Sequence, residues 1–149
     1  MFITQISVYL ENNKGTLRSL TKTLAEHNID MIALSIADTT SFGIVRIVVR
    51  SADVKPAIAA LHDNGFIAKV SQVLCVAVPN QPAGLDRVLA IIEEKNISIE
   101  YMYSLYYNIE NKALMVLRLA TQDVEKEDLA KLFETNNVMM ITQDIIDNM

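Results

Sequence analysis

The sequence predicts an α+β chain made of two tandem copies of one β-α-β-β-α-β unit, spanning residues 1–70 and 71–149. Three observations predict it. Asn12, Leu17, Glu26, Asn28 and Ile29 recur 68 positions later as Asn80, Leu85, Glu94, Asn96 and Ile97, the mark of an internal repeat. Strand-like and helix-like periodicities alternate in the same order in both halves. With 51% hydrophobic and 21% charged residues and a mean hydropathy of +0.24, the chain has ample material for a core and none of the composition of disorder.

The elements follow in order. Ile3 to Leu10 is dense in β-favouring residues and stops at Glu11-Asn12-Asn13-Lys14-Gly15, a cluster of turn formers. From Thr16 the period changes: Leu17, Leu20 and Leu24 lie at i, i+3 and i+7 on one face of a helix that Asn28 ends. Met31 to Ala37 and Phe42 to Val49 read as strands joined by a short hairpin. Asp53 is a candidate N-cap, with Pro56 in the first turn of a second helix carrying Val54, Ile58 and Leu61 inward before Asn64-Gly65 stops it. Phe66 to Gln72 is a last strand. The second half predicts strands near Leu74 to Val78, Ile97 to Tyr107, Ala113 to Ala120 and Val138 to Ile146, with helices from Gly84 to Lys95 and Asp123 to Thr135. Arg46 aligns with Arg118 at an offset of 72, which puts four extra residues in the hairpin, Asp38 to Ser41 against Tyr107 to Lys112.

This order is the split βαβ, ferredoxin-like unit, with both helices on one face of an antiparallel sheet. Both faces of strands such as Met31 to Ala37 are largely apolar, so the helix-free face is expected to meet another surface. No Gly/Ser or Pro-rich linker separates the halves, and the two units are expected to pack side by side in one body and to form a homo-oligomer, most simply a dimer. A net charge of −5 offers no basic footprint for nucleic acid. Apolar runs of strand length predict no membrane span, and the N-terminus carries no export-like signal, so a cytoplasmic location is expected. One cysteine, Cys75 in an apolar strand, excludes an internal disulfide and a CxxC site, and no metal or cofactor is predicted.

A ferredoxin-like fold serves many functions, so loops must discriminate. The stretch Ile6 to Asp30, with Asn12-Asn13-Lys14-Gly15-Thr16-Leu17 as an Asn-x-x-Gly-x-Leu turn and Ala25-Glu26-His27-Asn28-Ile29 at the helix end, resembles the ACT domain family. Pro79 to Leu85 resembles the same turn, and the likeness covers nearly the whole chain. Lys14 stands where the family commonly has proline. The second copy keeps that proline as Pro82 but places Ala83 at the glycine position, with Gly84 after it. The resemblance implies a regulatory protein, not an enzyme, that binds a free amino acid at an interface between two ACT units. The loop after the first strand of one unit and the second strand of its neighbour would hold the ligand. Carried over, it nominates Asn12, Asn13, Lys14, Gly15, Thr16 and Leu17 with Ser35, Ile36, Ala37 and Asp38, and Asn80 in the second copy. If the units pair through their second strands, Tyr103 and Ser104 join the first loop. An amino-acid biosynthetic enzyme is the implied regulated partner.

The chemistry of these residues supports such a site. A zwitterion needs donors for its carboxylate, which a loop entering a helix N-terminus supplies, and acceptors for its ammonium, which carbonyls, Asn or Asp38 supply. The plainer reading is that Asn12 and Asn13 make the turn and Thr16 N-caps the helix. The tyrosines from Tyr101 to Tyr107 suit strand packing and a pocket wall equally. Arg46 and Arg118 could meet a carboxylate or simply snorkel from a sheet face. Glu11, Asp30 and Asp38 favour a ligand with a basic or polar side chain. An acylphosphatase-type enzyme would need an arginine in the first loop, an RNA-binding module aromatic and basic residues on its central strands, and a metal chaperone cysteines. The alternative that stays open is an ACT-like oligomerisation or docking module without a ligand.

Overall fold

A computed structural model describes residues 2–38, 42–120 and 126–149. Its elements are β1 (Phe2–Glu11), α1 (Thr16–Glu26), β2 (Ala33–Asp38), β3 (Phe42–Val48), α2 (Ser51–Asp63), β4 (Ile67–Pro79), α3 (Gly84–Glu93), β5 (Ile99–Ile109), β6 (Lys112–Leu119), α4 (Lys126–Thr135), β7 (Met139–Met140) and α5 (Gln143–Asp147). They form two compact units. The N-terminal unit is Thr4–Gln72; the C-terminal unit is Val73–Met149 with Phe2 and Ile3.

In the N-terminal unit the strand order is β2-β3-β1-β4, with β3 antiparallel to both neighbours. Strand alternation sends Ile6, Val8, Leu10, Val45 and Ile47 to one face, where Leu20 and Leu24 of α1 and Ala57 and Leu61 of α2 close the core. The C-terminal unit has the corresponding order β5-β6-β4-β7, and its core joins Leu74, Val76 and Val78 to Val88, Ile92, Leu129 and Phe133. Each unit is thus the α+β, ferredoxin-like arrangement that the periodicities predict.

The recurring asparagines have a backbone reason. Asn28, Asn96 and Asn137 adopt positive φ (55°, 56° and 55°), as does Gly65 (82°), each just beyond a helix. The residue that follows each one turns its N–H back to the helix: Ile29 to the Leu24 carbonyl, Phe66 to Leu61, Ile97 to Ile92 and Val138 to Phe133. These are Schellman closures, in which a left-handed residue satisfies the last carbonyls and brings an apolar pair together. Asparagine is the non-glycine residue best suited to that conformation.

Several expectations are corrected. The strands expected from Phe66 to Gln72 and from Leu74 to Val78 are one unbroken strand, β4, which starts at Ile67. The strand expected from Val138 to Ile146 is only two residues long; after Ile141 donates its N–H to the Cys75 carbonyl, Thr142 opens α5. The amides of Ile145 and Ile146 bond the Thr142 carbonyl, and Asp144 lies in a first turn where negative charge is favoured. Helix α2 starts at Ser51 with Arg50 as N-cap, so Asp53 lies inside the first turn and Pro56 beyond it. The hairpin residues 39–41 and the expected helix start at Asp123 lie outside the described residues.

Cys75 is fully buried, and burial pushes its thiol pKa up to about 12. The thiolate is the nucleophile, so the folded chain should resist iodoacetamide at pH 8 and react only when unfolded, as mass spectrometry of the alkylated protein would show. The sign of the linkage follows. A folded-state pKa above the unfolded value stabilises the fold fully below about pH 9, and that contribution is lost as pH rises towards 12.

Candidate ligand-binding loop

Strand β1 ends on the exposed Glu11, just after the buried Leu10, and the chain leaves the sheet at Asn12. The Asn13 amide donates to the Glu11 carbonyl at 2.7 Å, and the Thr16 amide to the Asn13 carbonyl at 3.2 Å. This double turn needs a left-handed residue before the helix, and Gly15 supplies it at φ 89°. Gly15 and not Thr16 is the N-cap; the Thr16 hydroxyl instead donates to the Asn13 carbonyl at 2.9 Å. The Asn13 side-chain amide donates to a Glu11 carboxylate oxygen at 2.9 Å. Asn12, Asn13, Lys14 and Gly15 are exposed, Thr16 is half-buried and Leu17 is 39% exposed. The first turn of α1 carries no acidic side chain, and the positive dipole end of the helix there favours an anion.

Strand β2, which carries the other nominated residues, is the edge strand of its sheet. Leu10 pairs with Gly43 and Gly43 with Asp38, so the loop and the end of β2 lie at the same end of the sheet, roughly 10 Å apart with β3 between. Ser35 is half-buried; Ile36 and Ala37 are exposed. Gly43 itself was not nominated. It is buried between Leu10 and Asp38, and an added Cβ there would meet nothing closer than the Ala37 carbonyl at 3.8 Å. A lone glycine inside an apolar strand was the available signal. Asp30 faces Arg50 at 3.5 Å, which weakens its case as a ligand group.

The C-terminal unit repeats the loop bond for bond. The Gln81 amide donates to the Pro79 carbonyl, Gly84 to Gln81 and Arg87 to Ala83, mirroring the Asn13, Thr16 and Ser19 amides. Ala83 therefore stands for Gly15, at φ 61°, and Gly84 for Thr16. A Cβ on Gly84 would lie 2.1 Å from the Pro79 carbonyl oxygen, whereas one on Gly15 would meet nothing within 4 Å. Asn80 is exposed, and its amide donates to the Asn111 carbonyl in the β5–β6 turn.

A family model described as an ACT domain pair matches residues 1–147. The chain belongs to the ACT domain pair family. Protein BT0572 from Bacteroides thetaiotaomicron is 32% identical, with 100% of this chain and 98% of that one covered at a TM-score of 0.85. The ligand-free regulatory subunit of aspartate kinase from Thermus thermophilus shares the fold at 15% identity, 88% and 90% coverage and a TM-score of 0.61. Aspartate kinase from Synechocystis shares it at 17% identity over 93% of this chain and 26% of the enzyme, with a TM-score of 0.57. Among curated proteins, none matches this sequence.

Strand pairing corrects the alignment of the two ACT units. Ser7 faces Arg46 while Cys75 faces Val116, so Arg46 corresponds to Val116 and Arg118 to Val48. The Arg46–Arg118 match is a coincidence of identity two positions out of register. The pairing shift between Ser104 and Asn108 puts two extra residues within β5, and a further irregularity lies between Ile99 and Tyr101. The insertion is thus a bulge in the tyrosine-rich strand and not a longer hairpin, and bulges re-aim side chains. Tyr103, the counterpart of Ser35, is only 9% exposed and stacks on Tyr101 at 6.5 Å; Ser104 is exposed. Arg118 pairs with Glu100 of the same ACT unit at 3.5 Å. His27 and His62 bond the carbonyls of Thr23 and Ala68. No three His, Cys, Asp or Glu among the described residues could hold a metal ion, and no described helix is long and apolar enough to cross a membrane.

Proposed function

We propose that this ACT domain pair is a regulatory protein, without catalysis of its own, that binds a free amino acid at an ACT–ACT interface. Asn12, Asn13, Lys14, Gly15, Thr16 and Leu17 would form one wall. Ser35, Ile36, Ala37 and Asp38 of an edge strand β2, from the ACT unit facing it, would form the other. The observation that carries this reading is the open loop at the start of α1: exposed, left-handed at Gly15, and free of acidic side chains in the first helical turn. Amides there suit the ligand's carboxylate, and strand carbonyls suit its ammonium. Because a Cβ at Gly84 has no room, the Asn80 loop is the lesser candidate, with Tyr103 and Ser104 as secondary wall residues. Ligand binding would favour one arrangement of the interface and so reach an amino-acid biosynthetic enzyme or an oligomeric state.

Thermal unfolding in the presence of each common amino acid tests it. At ~100 times its dissociation constant the right ligand adds about 2.7 kcal/mol, which raises the midpoint by roughly 5–10 °C. Asn12→Ala should remove most of that shift. A chain that responds to no amino acid is instead an oligomerisation or docking module, the second reading of the fold.

A further inference from the structure

Between the end of α3 and one side of α4 the C-terminal unit holds a cavity of about 580 Å³, a size at which proteins hold small organic molecules. It lies at the opposite end of α3 from the Asn80 loop. Its floor is apolar: Ile97 and Leu129 are buried and Leu132 is half-buried. On α4, Asp128, Lys131, Leu132 and Thr135 fall at i, i+3, i+4 and i+7 and so share the face that lines it. Side-chain size makes the space. The Schellman closures put Phe133 and Leu61 in equivalent places, so Leu129 and Leu132 stand where α2 has the buried Ala57 and Ala60. Helices α1 and α2 touch; leucines in place of the two alanines widen such a helix spacing. The rim of the cavity carries both signs of charge. Glu94 and Lys95 come from the end of α3, Asp128 and Lys131 from α4, and all four are exposed. Among the described residues no ion pair joins any two of them, although Asp128 and Lys131 have the i, i+3 spacing that allows one.

We infer that this cavity binds a small zwitterion with an apolar body, at a site contained within one ACT unit and separate from the loop at the start of α1. The carboxylate meets the ammonium groups of Lys95 and Lys131. The ligand's own ammonium meets Glu94, Asp128 and the carbonyl end of α3, where a cation is favoured. The apolar body covers Ile97, Leu129 and Leu132 and removes them from water. Charges of both signs, held apart beside an apolar floor, suit such a ligand better than an anion or a cation alone, each of which would leave one pair of rim charges facing its own sign. A free apolar amino acid and a short apolar peptide share this chemistry.

Amide-resolved NMR titration of the full chain tests the assignment, with L-leucine and the dipeptide leucyl-leucine as separate probes. At least one of them should shift the amides of Lys95, Ile97 and Leu132 and saturate in the millimolar range. A response to the dipeptide alone assigns the site to a peptide, a response to leucine alone to the free amino acid, and a response to both to zwitterions of either length. Lys131→Glu, at an exposed position, should weaken binding roughly tenfold, and circular dichroism checks that this variant is folded. N-acetyl-leucine amide keeps the apolar body without the two charges and should not bind. Asn12→Ala should leave the shifts unchanged, so a failure of the loop site and a failure of this one are distinguishable. The inference is overturned if neither probe moves these amides, if binding is indifferent to Lys131→Glu, or if the uncharged amide binds as tightly as the zwitterions. Shifts that vanish in Asn12→Ala belong to the loop and overturn it too.

Discussion

Threonine at position 84 should destabilise the C-terminal unit by about 3 kcal/mol and lower the unfolding midpoint by roughly 10 °C. The reason is spatial. The Cβ of any residue there would lie 2.1 Å from the carbonyl oxygen of Pro79 and 3.1 Å from its carbonyl carbon, both backbone atoms that cannot swing aside. The α3 N-terminus must back away from β4, breaking the turn in which Gly84 donates to Gln81 and Gln81 to Pro79. The reverse change in the other unit, Thr16→Gly, loses one hydroxyl bond to the Asn13 carbonyl and should have an effect several-fold smaller. Ala83→Gly should stabilise slightly, by about 0.5–1 kcal/mol, because Ala83 sits at φ 61° where a side chain is strained. Urea unfolding of the three variants measures all of this. Equal effects of Gly84→Thr and Thr16→Gly would show that the helix start in the second loop has as much room as in the first.

The two loops also show what a sequence discloses and what it withholds. The repeat was legible because the same backbone demand recurs: Asn28 and Asn96 both close helices in the left-handed conformation, and Asn12 and Asn80 both open the turn. In the sequence the second copy places Ala83 at the glycine position and its glycine one residue later, at Gly84. In the structure each glycine answers a different constraint, left-handed backbone at Gly15 and close approach at Gly84. Register was not legible. Arg46 and Arg118 share an identity but not a position, since β5 absorbs its extra residues as a bulge that leaves no mark in the letters. The short β7 is a similar case: the apolar residues Val138 to Ile141 and Ile145 to Ile146 suit a strand or a buried helix, and the polar Thr142-Gln143-Asp144 between them is where the chain turns into α5. Of the proposed site, the loop residues could be named from turn chemistry. The placement of Gly43 between the loop and β2, which depends on its pairing with both Leu10 and Asp38, could not.

Phe133→Ala should be the most damaging truncation, destabilising the chain by roughly 3–5 kcal/mol. Phe133 heads the fully buried side chains by size and is 0% exposed. It packs with Leu74, Val76, Val88, Ile92, Leu117 and Leu129 in the C-terminal core. It also accepts the Val138 amide at 2.9 Å in the closure of α4, so the ring and the backbone of one residue hold both the helix and its exit towards β7. Helix α4 has only ten residues, too few to persist in water without tertiary contacts. Removing the ring should therefore release α4 before the rest of the unit opens. Hydrogen exchange should show lost protection from Leu129 to Val138, while amides of β6 such as Val116 and Leu117 stay protected longer. Protection lost uniformly across α4 and β6 would mean that the helix and sheet of this unit open as one cooperative body. In that case Phe133 anchors the whole unit and not α4 alone.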